Sequence, residues 1–211
     1  MRCRLKICGL KTKADVAIIN EMQPDYCGFI VDYPKSRRSL EPNEACRLAA
    51  NVLGTVKKVA VFVDESMETV VKTMASFDMA QLHGNESESY IEELKKRTSK
   101  PVIKAVIPKN AYDVEHFCKT KADYLLFDAG KGAGRAFNWD ILKNVQPSRK
   151  YFLAGGLNEK NIEFAIEELD PYAIDISSGV ETDGQKDYGK VKRITEFLKN
   201  NRERRNDNDR F

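Results

Sequence analysis

The sequence lacks several features that define other protein classes. Its 211 residues contain no apolar run long enough to span a bilayer, and the N-terminus has no apolar signal-peptide core. The net charge of +3 is too small to indicate a nucleic-acid or membrane partner. Only two histidines are present, His83 and His116, which argues against a His-rich metal site. These absences favour a globular protein, whose length suits one domain with a sizeable core.

Cysteine and glycine patterns exclude further classes. The five cysteines are odd in number and include no Cys-x-x-Cys pair, so neither a zinc site nor a disulfide framework is indicated. Free thiols are typical of a reducing compartment, and we expect a cytoplasmic location. No Gly-Lys-Ser or Gly-Lys-Thr is present, which excludes a P-loop. After Gly130 and Gly132, Arg135 stands where a dinucleotide-binding fingerprint needs glycine.

What the sequence does contain is a repeated alternation of apolar strands and amphipathic helices, at the spacing of roughly 20–30 residues expected of successive strand–helix units. Eight strands are predicted, starting at Cys3, Tyr26, Lys57, Met79, Pro101, Asp123, Tyr151 and Tyr172. Thr12, Ser66 and Asn158 are predicted to cap helices. Right-handed βαβ units build a parallel sheet, and eight of them match an α/β, single-domain (β/α)8 TIM barrel. A doubly wound open sheet is the alternative, although it usually has fewer strands.

The barrel is expected to occupy residues 1–198. Residues 199–211 are polar and carry charges of both signs, and we expect them to form a disordered C-terminal tail. A nucleic-acid-binding arm would be more uniformly basic.

One stretch, residues 125–139, combines a strand, a carboxylate and a glycine-rich loop. Leu125 to Phe127 is apolar, Asp128 follows, and three glycines then alternate with small or basic residues. Active sites on parallel barrels lie at the carboxyl ends of the strands. A carboxyl group placed there and covered by a loop suits a general acid, although aspartate also often caps its own loop. The glycines would let residues 129–136 close as a lid.

Other polar residues share this predicted position at strand ends. Gly155 and Gly156 follow the seventh strand, and Ser177-Ser178-Gly179 follows the eighth, where barrels commonly bind phosphate through backbone N–H groups. Cys8 ends the first strand and suits a base if its pKa is lowered, although a buried apolar role is commoner for cysteine. Arg38 is suited to a bidentate contact with a carboxylate or phosphate. His83 ends the fourth strand, where a structural, hydrogen-bonded role is the simpler interpretation.

Five motifs together resemble a known family. They are Lys6-Ile7-Cys8-Gly9, Pro34-Lys35-Ser36-Arg37-Arg38, Gln81-Leu82-His83-Gly84, Leu153-Ala154-Gly155-Gly156-Leu157 and Asp175-Ile176-Ser177-Ser178-Gly179-Val180-Glu181. In this order they resemble the phosphoribosylanthranilate isomerases of tryptophan biosynthesis over about residues 4–198. Several motifs in the right order are a far more specific match than any one of them.

The resemblance implies an isomerase that needs no cofactor or metal. Its reaction would be the Amadori rearrangement of N-(5-phosphoribosyl)anthranilate to 1-(2-carboxyphenylamino)-1-deoxyribulose 5-phosphate. Cys8 would be the general base, Asp128 the general acid, and Arg38 would hold the anthranilate carboxylate. Gly155, Gly156, Ser178 and Gly179 would bind the phosphate, and Gln81, His83 and Asp175 would line the substrate pocket. The expected partner is this phosphosugar alone, and we expect a monomer rather than a homodimer.

The sequence departs from the family pattern in the loop after Asp128. The loop is shorter than usual, with Lys131 at an expected glycine and Asn138 at an expected aspartate. Two alternatives remain. One is a dual-substrate isomerase that also serves histidine biosynthesis, but such relatives generally carry aspartate where Cys8 stands. The other is a catalytically silent barrel used as a binding module, against which the presence of both Cys8 and Asp128 argues.

Overall fold

Eight parallel strands close into a barrel in the computed structural model, which describes residues 3–128 and 140–208, with backbone alone for 202–208. The sheet consists of β1 (Arg4–Cys8), β2 (Tyr26–Val31), β3 (Ser39–Leu40), β4 (Lys57–Phe62), β5 (Met79–Leu82), β6 (Val102–Val106), β7 (Tyr124–Phe127), β8 (Tyr151–Leu153) and β9 (Ala173–Ile176). Strand β1 pairs with both β2 and β9, which closes the barrel, while the short β3 is added to β2 alone. The predicted (β/α)8 fold is confirmed.

Helices follow the barrel strands along the chain. They are α1 (Lys13–Met22), α2 (Pro42–Ala49), α3 (Met67–Met74), α4 (Glu88–Thr98), α5 (Ala111–Phe117), α6 (Asp140–Val145), α7 (Ile162–Leu169) and α8 (Tyr188–Asn208). Thr12 forms the predicted capping box with Asp15, and the Ser66 hydroxyl accepts from the Thr69 amide. A 3-10 helix (Ser178–Val180) and a small hairpin, β10 (Glu181–Thr182) with β11 (Gln185–Lys186), precede α8.

The predicted cap at Asn158 is wrong. Helix α7 begins at Ile162, with Asn161 at its N-cap position. The Asn158 side chain instead donates to the Gly156 carbonyl oxygen at 2.9 Å and accepts from the Lys160 amide at 2.9 Å. Asparagine readily makes such local backbone hydrogen bonds, and here they hold the loop that follows β8.

The strands are buried on both faces, which is why they read as nearly continuous apolar runs. Alternate residues point outward to the helices or inward to the barrel. Phe62, Phe127 and Leu153 belong to the large cluster between barrel and helices. A smaller cluster fills the interior and includes Cys8, Val59, Val61, Ile103, Leu126 and Phe152.

Aromatic side chains close the amino-terminal end of the barrel. The rings of Tyr26 and Phe152 meet edge to face with centroids 5.3 Å apart, and the Tyr26 and Tyr172 hydroxyls are 3.1 Å apart. The Arg4 guanidinium lies over the Tyr172 ring, 4.3 Å from its centroid. These side chains fill this end of the barrel and leave the carboxyl-terminal end as the place for a ligand among the described residues.

Two predictions concern the C-terminal tail and the loop after Asp128. Helix α8 continues to Asn208, through residues 199–208 that were assigned to a disordered tail. This segment has no glycine or proline, the two residues that interrupt helices most strongly. The order of the tail in solution stays a prediction. The proposed lid at 129–136, with Lys131, and Asn138 lie outside the described residues.

Candidate active site

A cavity of about 500 Å³ lies at the carboxyl-terminal ends of the barrel strands. Every predicted site residue except Gly179 lines it, namely Cys8, Arg38, Gln81, His83, Asp128, Gly155, Gly156, Asp175 and Ser178. Apolar side chains complete the wall, including Ile30, Val61 and Ile107. Such a mixture of apolar wall and convergent polar groups is typical of a small-molecule site. Asp64, another strand-end carboxylate, instead accepts a hydrogen bond from the Asn85 side chain.

Cys8 is the last residue of β1 and points into the barrel. The residue is 8% exposed and lines the cavity wall. Burial raises the pKa of the Cys8 thiol, whereas the nearby Lys6 ammonium opposes this rise. A thiolate at Cys8 therefore depends on neighbouring positive charge.

Lys6 is a buried ionic residue that the sequence analysis did not single out. Its side chain is 0% exposed, and Nζ donates to Oδ2 of Asp175 at 2.7 Å. The two residues are cross-strand partners of β1 and β9. Polar–apolar alternation in β1 does not by itself distinguish a solvated lysine from a buried one. In a closed barrel covered by helices neither face meets water, and that topology is the signal that would have identified Lys6 as internal.

The side chains of Gln81, His83 and Asp128 form a chain across the cavity. Nε2 of Gln81 lies 3.2 Å from Nδ1 of His83, and Nε2 of His83 lies 3.3 Å from Oδ2 of Asp128. If the Gln81 amide donates to Nδ1, the imidazole carries its proton on Nε2 and donates it to the carboxylate. The buried Oε1 of Gln81 has no hydrogen-bond partner in the described part of the chain.

Arg38 is held by a carboxylate that the sequence analysis quoted only as part of a motif. Its Nε and Nη2 donate to the two oxygens of Glu181, at 2.7 Å and 2.6 Å. Nζ of Lys186 donates to the same carboxylate at 2.8 Å, and Nη2 of Arg37 at 2.9 Å. Burial tends to raise the pKa of Glu181, but hydrogen bonds from Arg38 and Lys186 lower it to about 2.

Two loops form the end of the cavity where phosphate binding was predicted. Gly155 and Gly156 have positive φ angles of 91° and 68°, which L-residues with side chains rarely adopt. A Cβ added to Gly156 would meet nothing within 4 Å, so the space beside it is open. Ser178 starts the 3-10 helix. A Cβ on Gly179 would lie only 2.0 Å from the Leu157 carbonyl oxygen, so Gly179 lets the two loops touch.

The sequence profile of the N-(5'-phosphoribosyl)anthranilate (PRA) isomerase family matches residues 5–197. This chain belongs to that family. An isomerase of this name from Endomicrobium trichonymphae is 41% identical over 203 residues, covering 93% of this chain and 98% of the relative. Another, from Thermoanaerobacter pseudethanolicus, is 40% identical over 203 residues, with the same coverage.

Solved structures of the family superpose on this chain. Phosphoribosyl anthranilate isomerase from Thermotoga maritima gives a TM-score of 0.84 at 33% identity, covering 94% of this chain and 99% of that chain. The enzyme from Thermus thermophilus gives a TM-score of 0.82 at 30% identity, covering 93% of this chain and 98% of that chain. A third structure is a phosphoribosyl anthranilate isomerase in complex with reduced 1-(o-carboxyphenylamino)-1-deoxyribulose 5-phosphate. It gives a TM-score of 0.81 at 34% identity, covering 94% of this chain and 99% of that chain. These matches extend over the whole barrel that carries the cavity.

Proposed function

We propose that this PRA isomerase family member catalyses the Amadori rearrangement of N-(5-phosphoribosyl)anthranilate to 1-(2-carboxyphenylamino)-1-deoxyribulose 5-phosphate. The observation that carries the proposal is that Cys8 and Asp128, a thiol and a carboxyl group, line the same cavity. The rearrangement needs one acid and one base acting on neighbouring atoms of one sugar, and two such groups in one cavity suit that need.

Asp128 acts first, as the general acid. It gives its proton to the furanose ring oxygen, the C1–O bond breaks, and the nitrogen lone pair forms an iminium at C1. With the Gln81 amide donating to Nδ1, His83 carries its proton on Nε2, 3.3 Å from Oδ2, and can share it with the carboxylate that remains. A hydrogen bond to the charged form favours that form, so His83 assists the proton transfer.

Cys8 acts second, as the general base. Its thiolate takes the proton from C2, the C–H electron pair forms the C1–C2 double bond, and the iminium pair returns to nitrogen. The resulting enolamine takes a proton at C1 and loses one from the C2 hydroxyl, which gives the ketone. Each proton-transfer group typically contributes about 10²–10⁴-fold to the rate.

Arg38 is proposed to bind the anthranilate carboxylate. Glu181 occupies its Nε and Nη2, and the third nitrogen, Nη1, has no hydrogen-bond partner among the described residues. Arg38 and Lys186 together outweigh the single negative charge of Glu181, so this side of the cavity has net positive charge. Such a surplus favours an anionic ligand. The apolar side chain of Ile107 at the rim offers a contact for the aromatic ring.

The phosphate is proposed to bind at the loops that follow β8 and β9, to the backbone amides of Gly155, Gly156, Ser178 and Gly179. The positive φ angles at Gly155 and Gly156 turn the chain sharply there. The Ser178–Val180 helix begins at the same place. Amides at turns and helix starts bind phosphate oxygens well. Product bound with its phosphate elsewhere would refute this part.

Two buried oxygens are proposed to bind the sugar hydroxyls. Oε1 of Gln81 and Oδ1 of Asp175 have no hydrogen-bond partner in the described residues, and both side chains line the cavity. Buried polar atoms are rarely left without a partner, so hydroxyl donors of the substrate would complete them.

The test is a fluorescence assay of the purified protein with freshly formed N-(5-phosphoribosyl)anthranilate, compared with Cys8→Ala and Asp128→Asn. The anthranilate fluorescence should change at an enzyme-dependent rate with the wild type and about 10²–10⁴-fold more slowly with either variant. Cys118→Ala, a half-buried cysteine outside the cavity, should match the wild type. No turnover by the wild type would favour the silent barrel instead. Full activity of either active-site variant would refute its assigned role.

We further propose a cytoplasmic monomer that works without a cofactor. All five cysteines are free thiols, as is usual in a reducing compartment. No helix in the described residues is long and apolar enough to cross a membrane. One matched structure is of monomers generated from the dimeric Thermotoga maritima enzyme, so light scattering of this protein is the decisive measurement of its assembly.

A further inference from the structure

The ion pair of Lys6 and Asp175 lies wholly inside the barrel. The Lys6 side chain is 0% exposed and that of Asp175 is 7% exposed. Removing two charges from water is costly, and well-packed apolar residues often stabilise a protein as much or more. Stability alone is therefore a poor reason for a lysine at this position. A role in the chemistry of the neighbouring cavity is the better explanation.

Lys6 and Cys8 both occupy the space above Gly28 of β2. They are two residues apart on β1 and therefore point to the same side. A Cβ added to Gly28 would lie 2.7 Å from Sγ of Cys8 and 3.2 Å from Nζ of Lys6. The ammonium and the sulfur are thus within about 6 Å of each other, a distance at which opposite charges interact strongly. Glycine at position 28 leaves room for both.

Several charged or titratable groups act on Cys8 from the surrounding elements. Lys6 on β1, Asp175 on β9, Lys186 on β11, Arg38 before β3 and Cys27 on β2 are the groups concerned. Among the charges, that of Lys6 has the largest effect, ahead of Asp175, which acts in the opposite direction. Lys186 and Arg38 are both already paired with Glu181. Lys6 is therefore the principal counter-charge for a Cys8 thiolate.

We propose that Lys6 is a positioning residue whose ammonium stabilises the thiolate of Cys8, and that Asp175, which pairs with the same ammonium, partly offsets this stabilisation. The proposal rests on the assigned role of Cys8 as the general base. In the proposed mechanism, Lys6 remains protonated throughout. The thiol loses its proton to solvent before substrate binds, and the thiolate then takes the C2 proton. A purely structural Lys6–Asp175 pair would leave the ionisation of Cys8 unaffected.

The test measures the ionisation of Cys8 without using enzyme activity. Wild type, Lys6→Met, Asp175→Asn and the double variant are treated with iodoacetamide between pH 6 and pH 10. Alkylation of the Cys8 peptide is followed by mass spectrometry, because only the thiolate reacts. Each series gives the pH at which Cys8 alkylation is half-maximal. We expect this midpoint to be lowest in Asp175→Asn, higher in wild type, higher again in the double variant, and highest in Lys6→Met. The shift from wild type to Lys6→Met should be about one pH unit or more, which is about a tenfold lower rate at neutral pH.

Folding of every variant is checked by circular dichroism. If Lys6→Met alone does not fold, the double variant, which leaves no buried unpaired charge, is compared with Asp175→Asn and must show the higher midpoint. Equal midpoints across the series would overturn the proposal.

The pH profile of kcat/KM separates this proposal from the assignment of Cys8 as the base. If the acid limb of the kcat/KM profile moves in step with the alkylation midpoints, the result supports both the role of Lys6 and the role of Cys8 as the base. Midpoints that move while the isomerase profile stays fixed would leave the role of Lys6 standing and refute the catalytic role of Cys8.

Discussion

His83 and Asp128 meet across the cavity, with Nε2 of the imidazole 3.3 Å from Oδ2 of the carboxylate. They follow β5 and β7, two strands that β6 separates, so the strand order of the sheet brings them together although they are far apart in the chain. Gln81 contacts the other ring nitrogen, Nδ1, at 3.2 Å. His83 is therefore placed to orient the proposed general acid rather than to act on substrate itself.

Replacing His83 with alanine should reduce kcat and change KM less. A hydrogen bond to a charged group is worth about 1.5–3 kcal/mol, which corresponds to a fall of about 10–100-fold. The exposed His116 on α5 provides the matched control, and His116→Ala should behave as wild type. Steady-state kinetics with N-(5-phosphoribosyl)anthranilate measure both. An unchanged kcat in His83→Ala would show that Asp128 needs no support from the imidazole.

Replacing Glu181 with glutamine should weaken substrate binding. The carboxylate fixes Arg38 through two hydrogen bonds, at 2.7 Å and 2.6 Å, and a neutral amide cannot accept from both donors. We expect KM to rise about tenfold or more, in line with the loss of one charge-assisted hydrogen bond, with a smaller effect on kcat. Glu159→Gln, which breaks the exposed pair with Arg193, is the control and should leave KM unchanged. A selective loss of kcat would contradict a binding role for Arg38.

Glu181 should also make folding stability depend on acidity. Despite burial, hydrogen bonds from Arg38 and Lys186 lower its pKa from 4.5 to about 2. A depressed folded-state pKa stabilises the protein above the unfolded value, and this stabilisation is lost as pH falls through the folded value. The stability gap between wild type and Glu181→Gln should therefore be largest near neutral pH and narrow between about pH 4.5 and pH 2. Urea unfolding at several pH values measures it, and a gap that widens in acid would exclude this mechanism.

Gly28→Ala tests the space shared by Lys6 and Cys8. The new methyl would lie 2.7 Å from the sulfur of Cys8, so either the thiol or the strand must move. Overpacking of this kind costs about 1–3 kcal/mol, and displacement of the proposed base should also reduce kcat. Gly54→Ala is the matched control, because nothing lies within 4 Å of its added Cβ. Thermal unfolding and kinetics of both variants provide the comparison. Wild-type kcat in Gly28→Ala would place the reacting group elsewhere.

Local sequence patterns were sufficient for much of the fold. The apolar strands and the caps at Thr12 and Ser66 follow from near-neighbour chemistry, which the sequence displays directly. The cap at Asn158 failed because the same side chain can bond to several nearby backbone groups, and the loop geometry after β8 chose among them. Helix α8 runs on through residues 199–208, where no glycine or proline stops it, and the order of this segment in solution stays a prediction.

The sequence by itself determined the barrel, the family and the set of residues at the strand ends, because strand–helix periodicity and ordered motifs are local properties. Only the tertiary structure decided which of those residues meet. Lys6 and Asp175 are 169 positions apart, and Arg38 and Glu181 are 143. Their pairing depends on barrel closure and burial, since a charge removed from water must find a partner that sequence spacing does not reveal.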